Sequence, residues 1–264
     1  MLIVTSPAKT LDFSSDWRAA VNIPVTEPAF IRKACEIAAI LRSYSPEKLG
    51  ALMHLSDKLA AVNAAQYATF IPRHTPANSR PAILAYSGDI YRQLRAHHYT
   101  EPQQKYLQNS LRILSGLYGL LRPYDLIQPY RLEMKTPLTI GTAANLYAFW
   151  RHDITKALNE TAKQNGHTIL LNLASDECAN AIDRKLLTIP VTEVVFTQEK
   201  EGKIFNYGLF AKRGRGSMIQ YLAETQGMDL AVVRAYDRDG YRLVEETEGR
   251  LVFRKSLVQY GYSE

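Results

Sequence analysis

Four apolar runs in this chain each end in small, hydroxyl or charged residues. Ser6-Pro7-Ala8-Lys9-Thr10 follows Leu2 to Thr5, and Ser87-Gly88-Asp89 follows Ile83 to Tyr86. Ser115-Gly116 follows Leu111 to Leu114, and Ala174-Ser175-Asp176-Glu177 follows Thr168 to Leu173. In an open α/β sheet, ligands collect outside the carboxyl ends of the strands. If the four runs are parallel strands, Lys9, Asp89, Asp176 and Glu177 converge on one concavity. Ser6, Thr10, Asn172 and Ser175 are then its polar neighbours. The plainer alternative is four ordinary strand-to-loop transitions. Lys9 with the hydroxyls of Ser6 and Thr10 suits an anion, but the segment lacks the glycines of a P-loop. Gly116 and Gly119 make no dinucleotide fingerprint either, so no cofactor is expected.

Two further segments concentrate cations. Between Leu111 and Met134, Arg112, Arg122 and Arg131 are interleaved with Tyr118, Tyr124 and Tyr130. Guanidinium groups grip phosphates through paired donors, and aromatic rings can stack on bases. The competing reading makes the tyrosines half-buried core residues with partnered hydroxyls. Phe210-Ala211-Lys212-Arg213-Gly214-Arg215-Gly216 carries three cations and no acid. It reads as the link between a strand and a helix beginning near Ser217, its glycines opening the backbone to a phosphate. Lys212, Arg213 and Arg215 are expected on the rim of the same cleft as Arg122 or Arg131.

The charge balance agrees with an acidic partner. Over 264 residues the formal net charge is +6, which favours a polyanion over a cationic ligand. The two cysteines, Cys35 and Cys178, form no CxxC pair, which speaks against a disulfide scaffold. The histidines show no ligand spacing, so no metal site is expected. No apolar run reaches the length of a membrane span, and Met1 to Val4 is too short for a signal-peptide core. The expectation is a cytoplasmic protein with no membrane partner and no evident protein partner.

The elements that must position these residues alternate. Helical spacing runs through Thr26 to Arg42. Ser45-Pro46-Glu47-Lys48 reads as a cap, a first-turn proline and an acidic first turn, and Ser56 as the cap of a second helix to Tyr67. Two short helices joined by a tight turn make a helix-hairpin-helix candidate. Asn145 to Lys163 reads as a long helix ended by Gly166. The last third turns β-rich: Val191 to Phe196 and Lys203 to Ala211 are joined by a turn at Glu201-Gly202, with late strands at Tyr241 to Val244 and Arg250 to Arg254. The fold class is therefore α/β: a mixed, largely parallel sheet with flanking helices and a helix-hairpin-helix element.

These same residues carry a resemblance. SPAKTLDF from Ser6, SDKLAAVNAAQY from Ser56, TPANSRPAILAYSGDIY from Thr75, LSGLYGLLRPYDLIQPYRLEM from Leu114, LYAFW from Leu146, NLASDE from Asn172 and FAKRGRGSM from Phe210 resemble, in order, the YaaA family of bacterial peroxide-stress proteins. The resemblance implies one domain over 1–264, a positively charged cleft, a helix-hairpin-helix over Ser45 to Tyr67 that grips phosphate through the amides of its second helix and Lys58, and binding of duplex or distorted DNA. It also implies protection from hydrogen peroxide through lowered intracellular free iron. Two departures stand out: Cys178-Ala179-Asn180 follows Glu177 where a tyrosine and then a lysine are usual, and glycine stands at 214 where alanine is commoner. The leading expectation is a DNA-binding protein without catalysis. The alternative is an enzyme acting on a nucleotide or nucleobase in the same basic cleft.

Overall fold

The structure is a computed structural model that describes residues 1–14 and 16–257. Its first half holds β1 (Leu2–Thr5), β2 (Thr10–Leu11), α1 (Ile31–Arg42), α2 (Pro46–Met53), α3 (Asp57–Thr69), β3 (Arg80–Pro81), α4 (Ala82–Ala85), β4 (Tyr86–Ser87), α5 (Asp89–Leu94), α6 (Glu101–Ser110), β5 (Leu111–Ser115), β6 (Gly119–Leu121) and β7 (Leu126–Ile127). The second half holds α7 (Leu146–Asn165), β8 (Leu170–Leu173), α8 (Asp176–Ala179), β9 (Val191–Lys200), β10 (Lys203–Phe205), α9 (Gly208–Thr225), α10 (Leu230–Arg234), β11 (Arg242–Thr247) and β12 (Arg250–Ser256).

An eight-stranded sheet runs β11-β12-β9-β8-β1-β5-β6, with β10 added to β9. Its centre is parallel: β1 pairs with β5 and β8, β8 with β9, and β9 with β12. β6, β10 and β11 add antiparallel pairs at its margins. The reason lies in β1 and its neighbours. Leu2, Ile3 and Val4 are fully buried, and β5 and β8 are buried at every position. A strand covered on both faces reads as a continuous apolar run, as these do. The α/β architecture with a mixed, largely parallel sheet is thus as expected.

The helical caps also hold. Ser45 accepts from the Lys48 amide, and Asn145 accepts from the Ala148 amide. Gly166 closes α7 in the left-handed conformation at φ 66°. α2 and α3 are joined by His54, Leu55 and Ser56; Ser56 occupies the cap position without a side-chain hydrogen bond. Tyr67, fully buried on α3, donates to the Arg131 carbonyl at 2.7 Å, tying this helical pair to the segment that follows β7.

Two expectations fail. Ile83 to Tyr86 is not a strand of the sheet. Ala82–Ala85 form one helical turn, and Tyr86–Ser87 pairs antiparallel with Thr10–Leu11 in a separate ribbon. A short apolar run buried on all sides cannot tell strand from helix, and Ala82 to Ala85 are all buried. Lys203 to Ala211 is a strand only as far as Phe205, and the helix placed near Ser217 begins at Gly208. The basic run therefore lies inside α9. Its glycines serve packing: a Cβ on Gly214 would stand 2.6 Å from the Phe196 ring, and one on Gly216 would stand 2.2 Å from the Ile90 carbonyl oxygen. They let α9 lie close on β9 and α5.

Candidate anion-binding cleft

β1, β5 and β8 point their carboxyl ends the same way, and a cavity of about 350 Å³ opens there. The turn after β1 gives Ser6 to Thr10; the turn after β5 gives Gly116; the turn after β8 gives Ser175, Glu177 and Cys178. The β2–β4 ribbon carries Ser87, Gly88 and Asp89 to the same place, although β4 lies outside the main sheet. α9 adds Lys212 and Arg215 from a further side.

The remaining wall was not anticipated as a unit. Gly116 lets the chain from Arg131 to Met134 cross the end of β5 at close range; a Cβ there would stand 2.5 Å from the Leu132 carbonyl oxygen. That segment alternates: Arg131, Glu133 and Lys135 are more exposed, while Leu132 and Met134 are buried. Glu133 forms an ion pair with Lys9 at 2.8 Å and lies 3.6 Å from both Arg131 and Lys135. Lys135 is also 3.9 Å from Glu177. Burial pushes the Glu133 carboxyl up, but the Lys9 hydrogen bond and the charges of Lys9, Lys135 and Arg131 outweigh it and hold it below the usual range. Sequence reading missed Glu133 and Lys135; the signal was the period of two in Arg-Leu-Glu-Met-Lys.

Asp89 is likewise kept ionised. A hydrogen bond from Arg92 at 2.9 Å lowers its pKa, and the charges of Arg92, Arg213 and Lys212 add to this against modest burial. Five cations and three carboxylates line the cavity, leaving it positive by two; Lys135 and Arg213 add two more at its edge. The floor is hydroxyl-rich. Ser6 Oγ lies 3.1 Å from Ser175 Oγ and accepts the Ser175 amide. Tyr91 donates to the Ser6 carbonyl, and the Tyr130 hydroxyl joins those of Tyr86 and Ser115 at 2.6 and 2.7 Å. Burial raises the Cys178 thiol, so it stays protonated near neutral pH. Burial pushes the Tyr130 hydroxyl up to about 12.

The structure brings together Ser6, Lys9, Thr10, Asp89, Arg131, Ser175, Glu177, Lys212 and Arg215 on that cavity. Arg213 stands beside it, 3.7 Å from Asp89. Others lie elsewhere. Asp176 is exposed and outside the lining. Asn172 is buried, donates to Glu193 and accepts the Ala174 amide, which braces the turn after β8. Arg112 is buried at 7% exposure and donates to the Gln108 and Leu111 carbonyls; burial pushes it down to about 10 against the charge of Asp125. Arg122 pairs with the buried Asp125 and bonds the Glu27 carbonyl. These two arginines hold the fold and lie outside the cavity lining; of Arg122 and Arg131, it is Arg131 that shares the cavity with Lys212 and Arg215. Tyr118 and Tyr124 are fully buried. Lys58 is exposed on the first turn of α3, outside the cavity lining. Among the described residues, no helix is long and apolar enough to cross a membrane.

Comparison with known proteins places this geometry in a family. The chain is 43% identical over 260 residues to a UPF0246 protein of Ralstonia pickettii (strain 12J), covering 98% of this chain and all of that one. It is 43% identical over 257 residues to a UPF0246 protein of Tolumonas auensis, covering 97% of this chain and 98% of that one. A UPF0246 protein of Delftia acidovorans is 42% identical over 262 residues, covering 98% of this chain and all of the relative. Residues 1–247 match the family described as Peroxide stress protein YaaA, and the chain belongs to that family.

Proposed function

We propose that this peroxide-stress protein binds DNA through the cleft at the carboxyl ends of β1, β5 and β8. The family resemblance also implies protection from hydrogen peroxide through lowered intracellular free iron. The observation that carries the reading is the surplus of cations around one cavity, drawn from four separate stretches of chain. Lys9, Lys135 and Lys212 are exposed at the mouth, where a phosphate can compete with Glu133 for Lys9 and Lys135. Arg213 is shared with Asp89, a pairing a phosphate can displace at small cost because both groups are near solvent. Lys58 and the amides opening α3 offer a second, separate phosphate contact, which is the role proposed for the helical pair as a helix-hairpin-helix. Phosphate contacts hold a duplex without reading its sequence.

One observation favours an enzyme acting on a nucleotide or nucleobase as the second reading. The cavity is deep enough to take a small molecule, within the range of about 300–1,000 Å³ usual for such sites. Asp89 and Glu133 are both held ionised, however, which suits positioning of cations better than proton donation.

The test is a variant with Lys9→Ala, Lys212→Ala and Arg213→Ala together, titrated with two duplexes of unrelated sequence. Affinity should fall for both alike. The slope of log K against log salt should flatten by up to about 0.9 for each phosphate that is no longer neutralised. Thermal stability should fall only modestly, since Glu133 and Asp89 each lose one cationic partner and keep others. Unchanged affinity and slope would falsify the assignment.

A further inference from the structure

A duplex lying across the mouth leaves the inner part of the cavity unused. The Arg131 side chain is only 21% exposed, and Arg215 is half-buried. The Nε atoms of both are buried and have no hydrogen-bond partner among the described residues. Buried guanidinium donors are nearly always satisfied, so each calls for a further acceptor, a water or a ligand atom, and both side chains line the cavity from which one can come. A duplex is far too bulky to reach them through an opening into about 350 Å³. Part of the lining is apolar and aromatic: Tyr91, Tyr130, Leu132 and Met134 are buried, yet each contributes to the cavity surface. At the floor, the Ser6 and Ser175 hydroxyls supply both donors and acceptors.

We propose that the cavity is a receptor for one nucleotide. The phosphate meets Arg131, Arg215 and Lys212; the base lies against the tyrosine and aliphatic wall, with its polar edge on the two serines. The proposal rests on the DNA-binding reading above and adds to it the unit of the strand that enters. A free nucleoside monophosphate and a nucleotide turned out of a strand present the same chemistry. In the second case the cost of unstacking is least at a mismatched or unpaired base.

The experiment uses the full chain and a short duplex carrying 2-aminopurine at a mismatch, read by anisotropy for binding and by 2-aminopurine emission for unstacking. Deoxyadenosine monophosphate is titrated separately by calorimetry. Binding with a several-fold rise in emission, abolished in Arg215→Met and partly kept in Arg215→Lys, supports an everted nucleotide. No rise, but monophosphate binding that Arg215→Met abolishes, supports the same receptor filled by a free nucleotide. Anisotropy change with neither response overturns the receptor and leaves DNA binding standing. Monophosphate binding without any duplex binding keeps the receptor and removes the DNA reading. If Arg215→Met does not show the wild-type melting transition, the wild-type titrations decide alone.

Discussion

Glu133 sets the charge of the cleft more than any single cation does. It draws in Lys9, Arg131 and Lys135, and so neutralises part of a surface that otherwise repels itself. Replacing it by glutamine should raise DNA affinity and steepen the salt dependence, because three cations become available to phosphates. The same substitution has a pH signature. Its folded pKa is depressed, so the stability Glu133 contributes is present above its ordinary value of 4.5 and is lost as pH falls through the folded value. The difference in melting temperature between wild type and Glu133→Gln should therefore be largest near neutral pH and shrink below about pH 4. A difference that stays constant down to acid pH would remove Glu133 from this role. The contrast with Arg112 and Arg122 shows what residue type alone cannot convey. Both arginines lie in the same aromatic segment as Arg131, but their donors go to Asp125 and to backbone carbonyls. Which face of a short strand a guanidinium takes is settled by tertiary packing, and sequence spacing does not reveal it.

At the scale of elements, α9 departs furthest from what its sequence suggests. Glycines beside cations read as a loop open to phosphate; in the structure they are the packing surface of a helix. Gly216→Ala should destabilise the protein by about 1–3 kcal/mol, the usual cost of overpacking, since the Ile90 carbonyl it would strike belongs to backbone. Gly214→Ala should cost less, because it meets a side chain rather than backbone and alanine favours the helix by up to about 1 kcal/mol. Urea denaturation of the two variants checks the order, and a Gly216→Ala protein as stable as wild type would show that α5 and α9 are not held so closely. The caps of α2 and α7 and the strands β1, β5 and β8 were legible because each depends on local chemistry: a side-chain oxygen at the cap, or an unbroken apolar run. The α4–β4 segment was not, since burial on every side erases the period that separates helix from strand.

Across the whole molecule, the parallel order β5-β1-β8 is what turns separate sequence clusters into one site. Ser6 to Thr10 and Ser175 to Glu177 were readable as partners once parallel strands were assumed. Asp89 reaches the same cavity by a different route, through a two-stranded ribbon, so its placement matches the expectation while the stated reason does not. The wall from Arg131 to Lys135 depends on a close crossing at Gly116, a long-range approach that local pattern cannot announce.

The central claim is the location of the DNA, and lysine footprinting tests it most directly. The full chain is acetylated briefly with and without saturating duplex, and modification at each lysine is read by mass spectrometry. Lys9, Lys135 and Lys212 should lose reactivity on DNA binding, and Lys58 should follow if the helical pair takes part. Lys163, exposed in the last turn of α7 just before β8 begins, should be unchanged because it lies toward the opposite edge of the sheet. Protection of Lys163 with Lys9, Lys135 and Lys212 still fully reactive would contradict the account.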